Sequence, residues 1–374
     1  MIYLDNASTT KPSDAAKKAV LEAMEHFGNP SSLHRLGIEG EKIIEKSRAS
    51  IAAKLGADKK KVFFTSGGTE ANNTAIFGVA RALKKRGNRI ITSQIEHPSV
   101  IESFRALENE GFDVVYLPAD KNGRVNLTEA EKAINDKTAL VSIMYINNET
   151  GIIQPVKEIS TILKRKSTFG LFHTDAVQAF CKADCSKQAT GADLISISSH
   201  KIHGPKGAGA LYCDATRIIP LIYGGSQQSG IRPGTENVPG IAGFGAAAEE
   251  NFENCDILYD TLKSGITGLI SDVKINGNSE YASKYVLNVS FLGIKAEVLL
   301  HTLENYGIYV STGSACSSHK PEPSHVLTAM GCSAEETGGA VRFSFDSSLT
   351  VQDMEKTAEI LSKEVTVLRK YIRR

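Results

Sequence analysis

Hydrophobic residues recur at helical spacing in the first part of the chain and then in short blocks through its middle. Apolar positions three and four residues apart run through residues 14–27 and 38–56, so both stretches are predicted to be amphipathic helices. Short β-rich runs then alternate with helical stretches that begin at Thr69 and Pro98; the runs are KVFFT, RIITS, DVVYL, TALVSIMYI, GLFHTDA, DLISIS and GALYC. This alternation predicts an α/β layer around a mostly parallel sheet that is buried on both faces.

The last third of the chain has a different rhythm. A long helical pattern runs from about Val238 to Ile270. It is followed by the β-rich runs VLNVSF, IYVST and VRFSF, which are separated by two predicted helices, and a final helix is predicted to begin at Thr350. This part is predicted to be a smaller α+β domain. We expect residues 14–250 to form the large domain and residues 1–13 and 251–374 the small one, a division that suits a chain of 374 residues.

The balance of charge and the use of cysteine exclude several classes of protein. The 43 basic and 42 acidic residues nearly cancel, which argues against direct binding of nucleic acid. No apolar stretch has the length needed to span a bilayer, so no membrane association is expected. The six cysteines lack the spacing of a secreted scaffold, and the first residues lack a signal-peptide pattern. We therefore expect a cytoplasmic protein with free thiols.

Candidate chemistry lies just after predicted strands, where open α/β sheets bind their ligands. TSGGTEANN follows one strand and opens a helix, so backbone N–H groups near Gly68 and the Thr69 hydroxyl form a candidate anion site. The alternative is a tight turn in which Thr69 caps the helix. The glycine spacing matches neither common nucleotide-binding motif, which disfavours a nucleotide site.

Other strand ends carry ionisable side chains. His97 precedes a proline that can begin a helix, and Asp175 and Gln178 follow GLF. Lys201 and Lys206 follow DLISIS. Taken singly, each has an ordinary structural interpretation. Together with the anion site they supply what pyridoxal phosphate requires, namely a phosphate cradle, a carboxylate for the ring nitrogen and a lysine for a Schiff base. Spacing alone does not decide between the two lysines.

Motifs of one known family run through nearly the whole chain. In order they are YLDNASTT, NPSSLH, FTSGGTEANN, EHPSV, NNETG, HTDAVQ, SSHKIHGPKG, RPGTEN, STGSACSS and VRFSF. This series resembles the NifS/IscS-type cysteine desulfurases, within the class V group of fold-type I pyridoxal phosphate enzymes. The resemblance implies a large domain with a mostly parallel seven-stranded sheet flanked by helices, and a smaller α+β domain that carries the catalytic cysteine.

The resemblance also implies how the cofactor is held. Lys201, and not Lys206, would form the Schiff base, and Asp175 would pair with the ring nitrogen. Gln178 would bond the ring hydroxyl, while His97 would stack on the ring and shuttle protons. The phosphate would be bound by Gly68, Thr69, Ser198 and His200 of the same chain and by Thr235 of the partner subunit. A homodimer is therefore expected.

For the substrate, the resemblance implies that Arg342 binds the carboxylate of L-cysteine with Asn148 beside it. The competing interpretation of Arg342 is a surface ion pair, which contributes little stability. For Asn148 it is an ordinary turn, because paired asparagines are common in turns.

Sulfur chemistry is predicted at Cys316. It lies among small residues between Gly313 and Pro323, in a stretch that is typical of a mobile loop. A thiol in such a loop can ionise, and by resemblance it would take the substrate's sulfur as an enzyme persulfide. The other cysteines are expected to be structural. Cys181 and Cys185 have no second matching pair, so no metal site is expected.

The function these residues favour is that of a pyridoxal phosphate-dependent L-cysteine desulfurase, a sulfurtransferase that releases L-alanine. Lys201 would also take a proton from the bound substrate. A sulfur-acceptor protein is expected as partner, either an iron–sulfur cluster scaffold or a tRNA-modifying enzyme. One alternative is selenocysteine lyase or another class V aminotransferase or lyase on the same scaffold. The other is a non-catalytic binding scaffold or sulfur carrier, against which the intact set of site residues argues.

Overall fold

The computed structural model describes residues 1–215, 218–312 and 323–372. Its helices are α1 Asp14–Glu25, α2 Arg35–Lys54, α3 Gly68–Leu83, α4 Pro98–Asn109, α5 Leu127–Ala133, α6 Val156–Lys166, α7 Lys187–Thr190, α8 Val238–Glu249, α9 Asp256–Leu269, α10 Ala296–Glu304, α11 His325–Ala329, α12 Ala334–Gly338 and α13 Val351–Ile372. Its strands are β1 Ile2–Tyr3, β2 Val62–Thr65, β3 Arg89–Ser93, β4 Asp113–Leu117, β5 Thr138–Ser142, β6 Leu171–Asp175, β7 Leu194–Ser198, β8 Gly209–Cys213, β9 Val273–Ile275, β10 Val286–Phe291, β11 Ile308–Tyr309, β12 Ser311–Thr312 and β13 Ala340–Ser344.

The main sheet has seven strands within the described residues, in the order β2-β8-β7-β6-β5-β3-β4. Its neighbours pair in parallel, except that β8 is antiparallel to both β2 and β7. Every residue of β5, β7 and β8 is buried, as expected where helices cover both faces. The predicted fold class is confirmed. Since only β8 is reversed, six strands end at the same edge of the sheet.

Local sequence signals account for where the helices begin. The Ser13 hydroxyl accepts a hydrogen bond from the Ala16 N–H group at the start of α1, which is the usual work of an N-cap serine. Pro98 occupies the first position of α4, where its missing N–H group costs no helical hydrogen bond. The helices predicted to begin near Asp14, Thr69, Pro98 and Thr350 are all present within a residue or so of those positions.

The long helical pattern predicted from Val238 to Ile270 is two helices, not one. The backbone of Glu250 turns to an extended conformation (φ −70°, ψ 152°) and ends α8. The two helices belong to different apolar cores: Phe244 of α8 packs with the main sheet, whereas Leu262 of α9 packs with β10 and α13. Both helices are apolar on the buried side, so periodicity alone did not reveal the break.

The second core surrounds a smaller antiparallel sheet of order β12-β13-β10-β9, and its apolar residues come from both ends of the chain. Ile2 and Leu4 pack in this core, and β1 pairs in parallel with β11. The predicted domain boundary near residue 250 stays a prediction. No helix in the described ranges is both long enough and apolar enough to cross a membrane.

Gly209 in β8 tests how closely the sheet packs against the start of α3. A Cβ atom at residue 209 would lie 2.6 Å from the Cα atom of Gly67, the residue that precedes α3. We expect Gly209→Ala to lower the free energy of unfolding by about 1–3 kcal/mol, the usual cost of overpacking. Urea denaturation measures this change. The control is Gly338→Ala, because a Cβ there meets no atom within 4 Å; equal stability of the two variants would contradict the packing argument.

Candidate active site

A cavity of about 320 Å³ lies at the edge where the six strands end. Ten of the residues predicted for the site line it: Gly68, Thr69, His97, Asn148, Asp175, Gln178, Ser198, His200, Lys201 and Arg342. They come from separate strand ends, from the beginning of α3 and from β13. The structure therefore brings together side chains that are up to 274 positions apart, from 68 to 342, in the sequence.

Lys201 reaches this cavity from a 3₁₀ turn, Ser199–Lys201, that directly follows β7. Its ammonium group donates hydrogen bonds to the carbonyl oxygens of Ala7 (2.7 Å) and Ser8 (2.6 Å). Lys206 is exposed and does not line the cavity. The choice between the two lysines, which spacing left open, is a matter of tertiary position.

The N-terminus of α3 presents hydrogen-bond donors at the cavity. Gly67 precedes the helix and offers no side-chain cap. Within the described part of the chain, the N–H groups of Gly68 and Thr69 have no hydrogen-bond partner. The Ser198 hydroxyl is buried nearby at the cavity wall and is likewise unpartnered there. Donors left unpaired at the positive end of a helix form a site for an anion.

Asp175 is held rigidly at the end of β6. Its side chain is 6% exposed, and one carboxylate oxygen accepts from the Val177 N–H group at 2.9 Å. The other oxygen accepts from the Asn72 amide at 2.7 Å. Asn72 was not predicted as a site residue, although it lies within the TSGGTEANN motif.

His97 is the N-cap of α4 and its ring lines the cavity. Its Nδ1 atom accepts from the Ser99 N–H group at 3.1 Å and lies 2.8 Å from the Ser99 hydroxyl. Burial lowers the pKa of His97, and the charges of Lys201 and His325 act in the same direction, against the opposing effect of Asp175. A neutral ring is therefore favoured at neutral pH.

Two further predicted residues bind the N-terminal segment, residues 7–10. The Gln178 amide donates to the Ala7 carbonyl at 2.9 Å, and His200 Nδ1 lies 3.2 Å from the Thr9 hydroxyl. Burial and the neighbouring lysine charges lower the pKa of His200 to about 4. His200 is thus neutral at physiological pH and offers a donor or an acceptor, but no charge.

Arg342 is buried and is not a surface residue. It is 4% exposed, donates to the Asn148 carbonyl at 2.9 Å, and forms an ion pair with Asp5 at 2.9 Å. It also donates to the Ser8 hydroxyl, while its Nε–H group is buried without a partner among the described residues. The alternative of a surface ion pair is wrong, because the guanidinium lies at the cavity wall.

The two asparagines of NNETG have separate tasks. Asn147 is fully buried and its side-chain oxygen accepts from the N–H groups of Glu149 and Thr150, which is turn chemistry. Asn148 lines the cavity. The sequence pattern of two adjacent asparagines does not distinguish them, because the difference lies in their surroundings in the folded chain.

Two predicted residues do not join this cluster. Thr235 is exposed and does not line the cavity of its own chain. Cys316 lies outside the described residues.

Burial raises the pKa of each cysteine in the described residues, namely Cys181, Cys185, Cys213, Cys255 and Cys332. None of these five is therefore a ready thiolate. In the described ranges no three ionisable side chains are grouped so as to hold a metal ion.

Sequence reasoning missed a second layer of polar contacts around the cavity. Ser324 donates to the buried Glu149 carboxylate at 2.5 Å, and His325 Nε2 lies 2.9 Å from the Glu96 carbonyl. Glu149 and Glu96 are the immediate neighbours of Asn148 and His97. These contacts join α11 to two strand-end loops, and no sequence signal links residues so far apart.

Comparison with known proteins gives one consistent family. Residues 2–357 match the family model described as aminotransferase class-V. The cysteine desulfurase IscS of Clostridium botulinum is 43% identical over 377 residues, covering 97% of this chain and 94% of the relative. A solved NifS-like protein is 38% identical with a TM-score of 0.91, covering 98% of this chain and all of that one (100%). A solved complex of SspA with cysteine is 33% identical, with a TM-score of 0.83 and coverage of 92% and 99%.

The buried carboxyl beside His97 should make stability depend on pH. Burial raises the pKa of Glu96 from 4.5 to about 8. Because the folded state keeps a proton that the unfolded chain releases, this contribution to stability is complete below pH 4.5 and is lost as pH rises toward 8. We expect the free energy of unfolding of the Glu96→Gln variant to fall less steeply across this range, by about 1.4 kcal/mol per pH unit at most.

Urea denaturation of both cofactor-free proteins at several pH values measures the difference. Glutamine keeps the size of the side chain and does not titrate, so other groups cancel in the comparison. Parallel pH profiles for the two proteins would show that Glu96 does not hold its proton in the folded state.

Proposed function

The chain belongs to the NifS/IscS-type cysteine desulfurases of the class-V aminotransferase family, and we propose that it uses pyridoxal phosphate to convert L-cysteine to L-alanine. The observation that carries the proposal is the position of Lys201, whose ammonium group shares one cavity with Asp175, Arg342 and the beginning of α3. The cysteine bound to the related SspA supports the choice of substrate.

The residues of the cavity fit pyridoxal phosphate. Its phosphate requires donors, and the N–H groups of Gly68 and Thr69 and the Ser198 hydroxyl, which have no partner among the described residues, supply them. The ring nitrogen requires an anion, and Asp175 is a buried carboxylate fixed by two donors. Gln178, His200 and His97 would complete the contacts to the ring and the phosphate.

The bound cofactor would supply an electron sink that weakens the bonds at the α-carbon of an amino acid. Lys201 would hold the cofactor through Nζ and would then accept and return the proton at that carbon. Two of its partners are the backbone carbonyls of Ala7 and Ser8, and these hydrogen bonds are given up when Lys201 turns to the cofactor.

Arg342 would bind the carboxylate of L-cysteine. Its buried Nε–H group lacks a described partner, and a substrate carboxylate could accept from it. Asp5 and Ser8 accept from Nη2 and the Asn148 carbonyl accepts from Nη1, so the orientation of the guanidinium is set before substrate arrives. Asn148, which also lines the cavity, would contact the same end of the substrate.

Cys316 would accept the sulfur. Its thiolate would form an S–S bond to the sulfur of the substrate, and the C–S bond would break, leaving a persulfide on Cys316. The persulfide would pass to an acceptor protein, either an iron–sulfur cluster scaffold or a tRNA-modifying enzyme. The raised pKa of the five described cysteines supports Cys316 as the nucleophile by leaving no competing thiolate among them.

We also propose a homodimer in which Thr235 of the partner subunit contacts the cofactor phosphate. The exposure of Thr235, outside the cavity of its own chain, supports this arrangement. On the surface of the single chain several large apolar side chains are exposed, including Phe27 (82%), Leu33 (95%) and Tyr223 (79%). Such exposure is expected of a surface that a second copy of the chain covers.

The central experiment supplies the purified protein with pyridoxal phosphate, L-cysteine and a reductant, and measures alanine and sulfide together. We expect equal amounts of both products. Cys316→Ser should lower their formation by roughly 10²-fold or more, as loss of a catalytic group does. Cys332→Ser is the matched control, because Cys332 is a half-buried thiol with a raised pKa in the same part of the chain.

Full activity of Cys316→Ser would exclude the persulfide step on Cys316. A wild-type protein that binds the cofactor but makes neither product would direct the assignment to another class V lyase or aminotransferase, including selenocysteine lyase.

A second experiment separates the two lysines. Lys201→Ala is expected to lose both turnover and the visible absorbance of a covalently held cofactor, because it removes the only candidate amine lining the described cavity. Lys206→Ala removes an exposed lysine of the same motif and should keep both properties. Absorbance spectra after addition of pyridoxal phosphate measure the difference; loss in Lys206→Ala instead would reverse the assignment.

A further inference from the structure

A chain of hydrogen bonds connects Asp175 to His97 beneath the cavity. The Asn72 amide nitrogen lies 2.7 Å from the Asp175 carboxylate and 2.9 Å from the Ser99 hydroxyl. The Ser99 hydroxyl lies 2.8 Å from His97 Nδ1, and the Ser99 N–H group donates to the same atom. We refer to Asn72 and Ser99 together as the Asn72–Ser99 relay.

The donors and acceptors of the relay allow one consistent direction. A carboxylate only accepts, so the Asn72 amide must turn its nitrogen toward Asp175. The Asn72 carbonyl oxygen is left buried with no partner among the described residues. This unpaired oxygen follows from the orientation that Asp175 imposes on the amide. The same nitrogen donates to the Ser99 hydroxyl, which is thereby free to donate its own proton to His97.

His97 Nδ1 thus faces two donors from Ser99 and carries no proton itself. The proton of a neutral imidazole must then be on Nε2, because the partner of one ring nitrogen decides the state of the other. Across the described residues Nε2 has no hydrogen-bond partner, and the ring lines the cavity. Position at the N-terminus of α4 favours the neutral form, as does the lowered pKa of His97.

We propose that the Asn72–Ser99 relay holds His97 as the neutral Nε2–H tautomer, so that His97 serves the site as a fixed hydrogen-bond donor and not as the proton shuttle that the resemblance implies. This inference deepens the proposed function and rests on it for its catalytic meaning. Proton abstraction then belongs to Lys201, and Nε2–H stabilises negative charge that develops on the substrate or cofactor. Asn72 and Ser99 are positioning residues, since they act through His97 and Asp175.

The first test reads the tautomer directly. The cofactor-free protein is labelled with ¹⁵N-histidine, and the His97 signals are assigned by their loss in His97→Gln. At neutral pH we expect Nδ1 to have the chemical shift of an unprotonated nitrogen and Nε2 that of a protonated one. A proton on Nδ1 at neutral pH would overturn the proposal.

The same spectra test the relay. Ser99→Ala removes one of the two donors to Nδ1 and should move the two nitrogen shifts toward each other as the tautomers begin to exchange. Ser99→Thr restores a hydroxyl and should restore the shifts. The control is Ser103→Ala in the same helix, whose hydroxyl donates to the Ser99 backbone carbonyl at 2.8 Å and not to the Ser99 hydroxyl that faces His97. Unchanged shifts in Ser99→Ala would remove Ser99 and Asn72 from the positioning role.

The catalytic meaning is tested by two substitutions of His97 in the loaded enzyme. Glutamine keeps a donor near the position of Nε2 but cannot exchange protons, whereas leucine keeps neither property. We expect His97→Leu to lose about 10²–10³-fold in kcat, the usual cost of one preorganised donor, and His97→Gln to lose about tenfold or less. If His97 is a base, both variants will lose activity to the same extent.

These outcomes separate the inference from the proposed function. The tautomer is measured without cofactor or substrate, so it stands or falls independently of alanine production. A protein with the expected tautomer and no desulfurase activity would contradict the proposed function alone.

Discussion

The carbonyl oxygens of Ala7 and Ser8 are where the parts of the site meet. Lys201 donates to both, and Gln178 donates to Ala7. The Ser8 hydroxyl accepts from Arg342, which belongs to the second core. An ammonium and a guanidinium are costly to withdraw from water unless each donor is paired. A short irregular segment supplies partners for Lys201 because its backbone carbonyls are not used by a helix or a sheet, and its Ser8 hydroxyl supplies one partner for Arg342.

This constraint explains why the cavity is lined by residues from elements that belong to two different apolar cores. The cores are formed by different sets of side chains, and their boundary is where polar groups can lie without interrupting either one. Arg342 has a register partner on each side in the small sheet, Asn288 and Ser311, so its Cα position is fixed by strand pairing. Asp175 is fixed in the same way at the end of a central strand of the large sheet. Strand pairing therefore sets the positions of Arg342 and Asp175 in two separate sheets, and both residues line the same cavity.

Much of the site could be predicted because its chemistry is local in the chain. A glycine pair before a helix, an aspartate after a strand and a lysine after a strand are each a short pattern, and parallel strands bring their carboxyl ends together. The relay was not predictable in that way. Asn72 and Ser99 are ordinary helix residues in sequence, and their roles depend on the distance between α3 and α4. The break of the predicted helix at Glu250 was missed for a related reason, since both of its halves are apolar on one face.

The sequence by itself determined the alternation of strands and helices, the sheet class and the set of ionisable residues at strand ends, because each of these follows from neighbours within a few positions. Spacing alone did not decide between Lys201 and Lys206 or between Asn148 and Asn147, and the tertiary structure shows that Lys201 and Asn148 line the cavity. Only the tertiary structure decided that Arg342 is buried against Asp5. The physical reason is that side-chain direction and burial depend on packing between segments distant in the chain. Periodicity and spacing describe one segment at a time and carry no information about that packing.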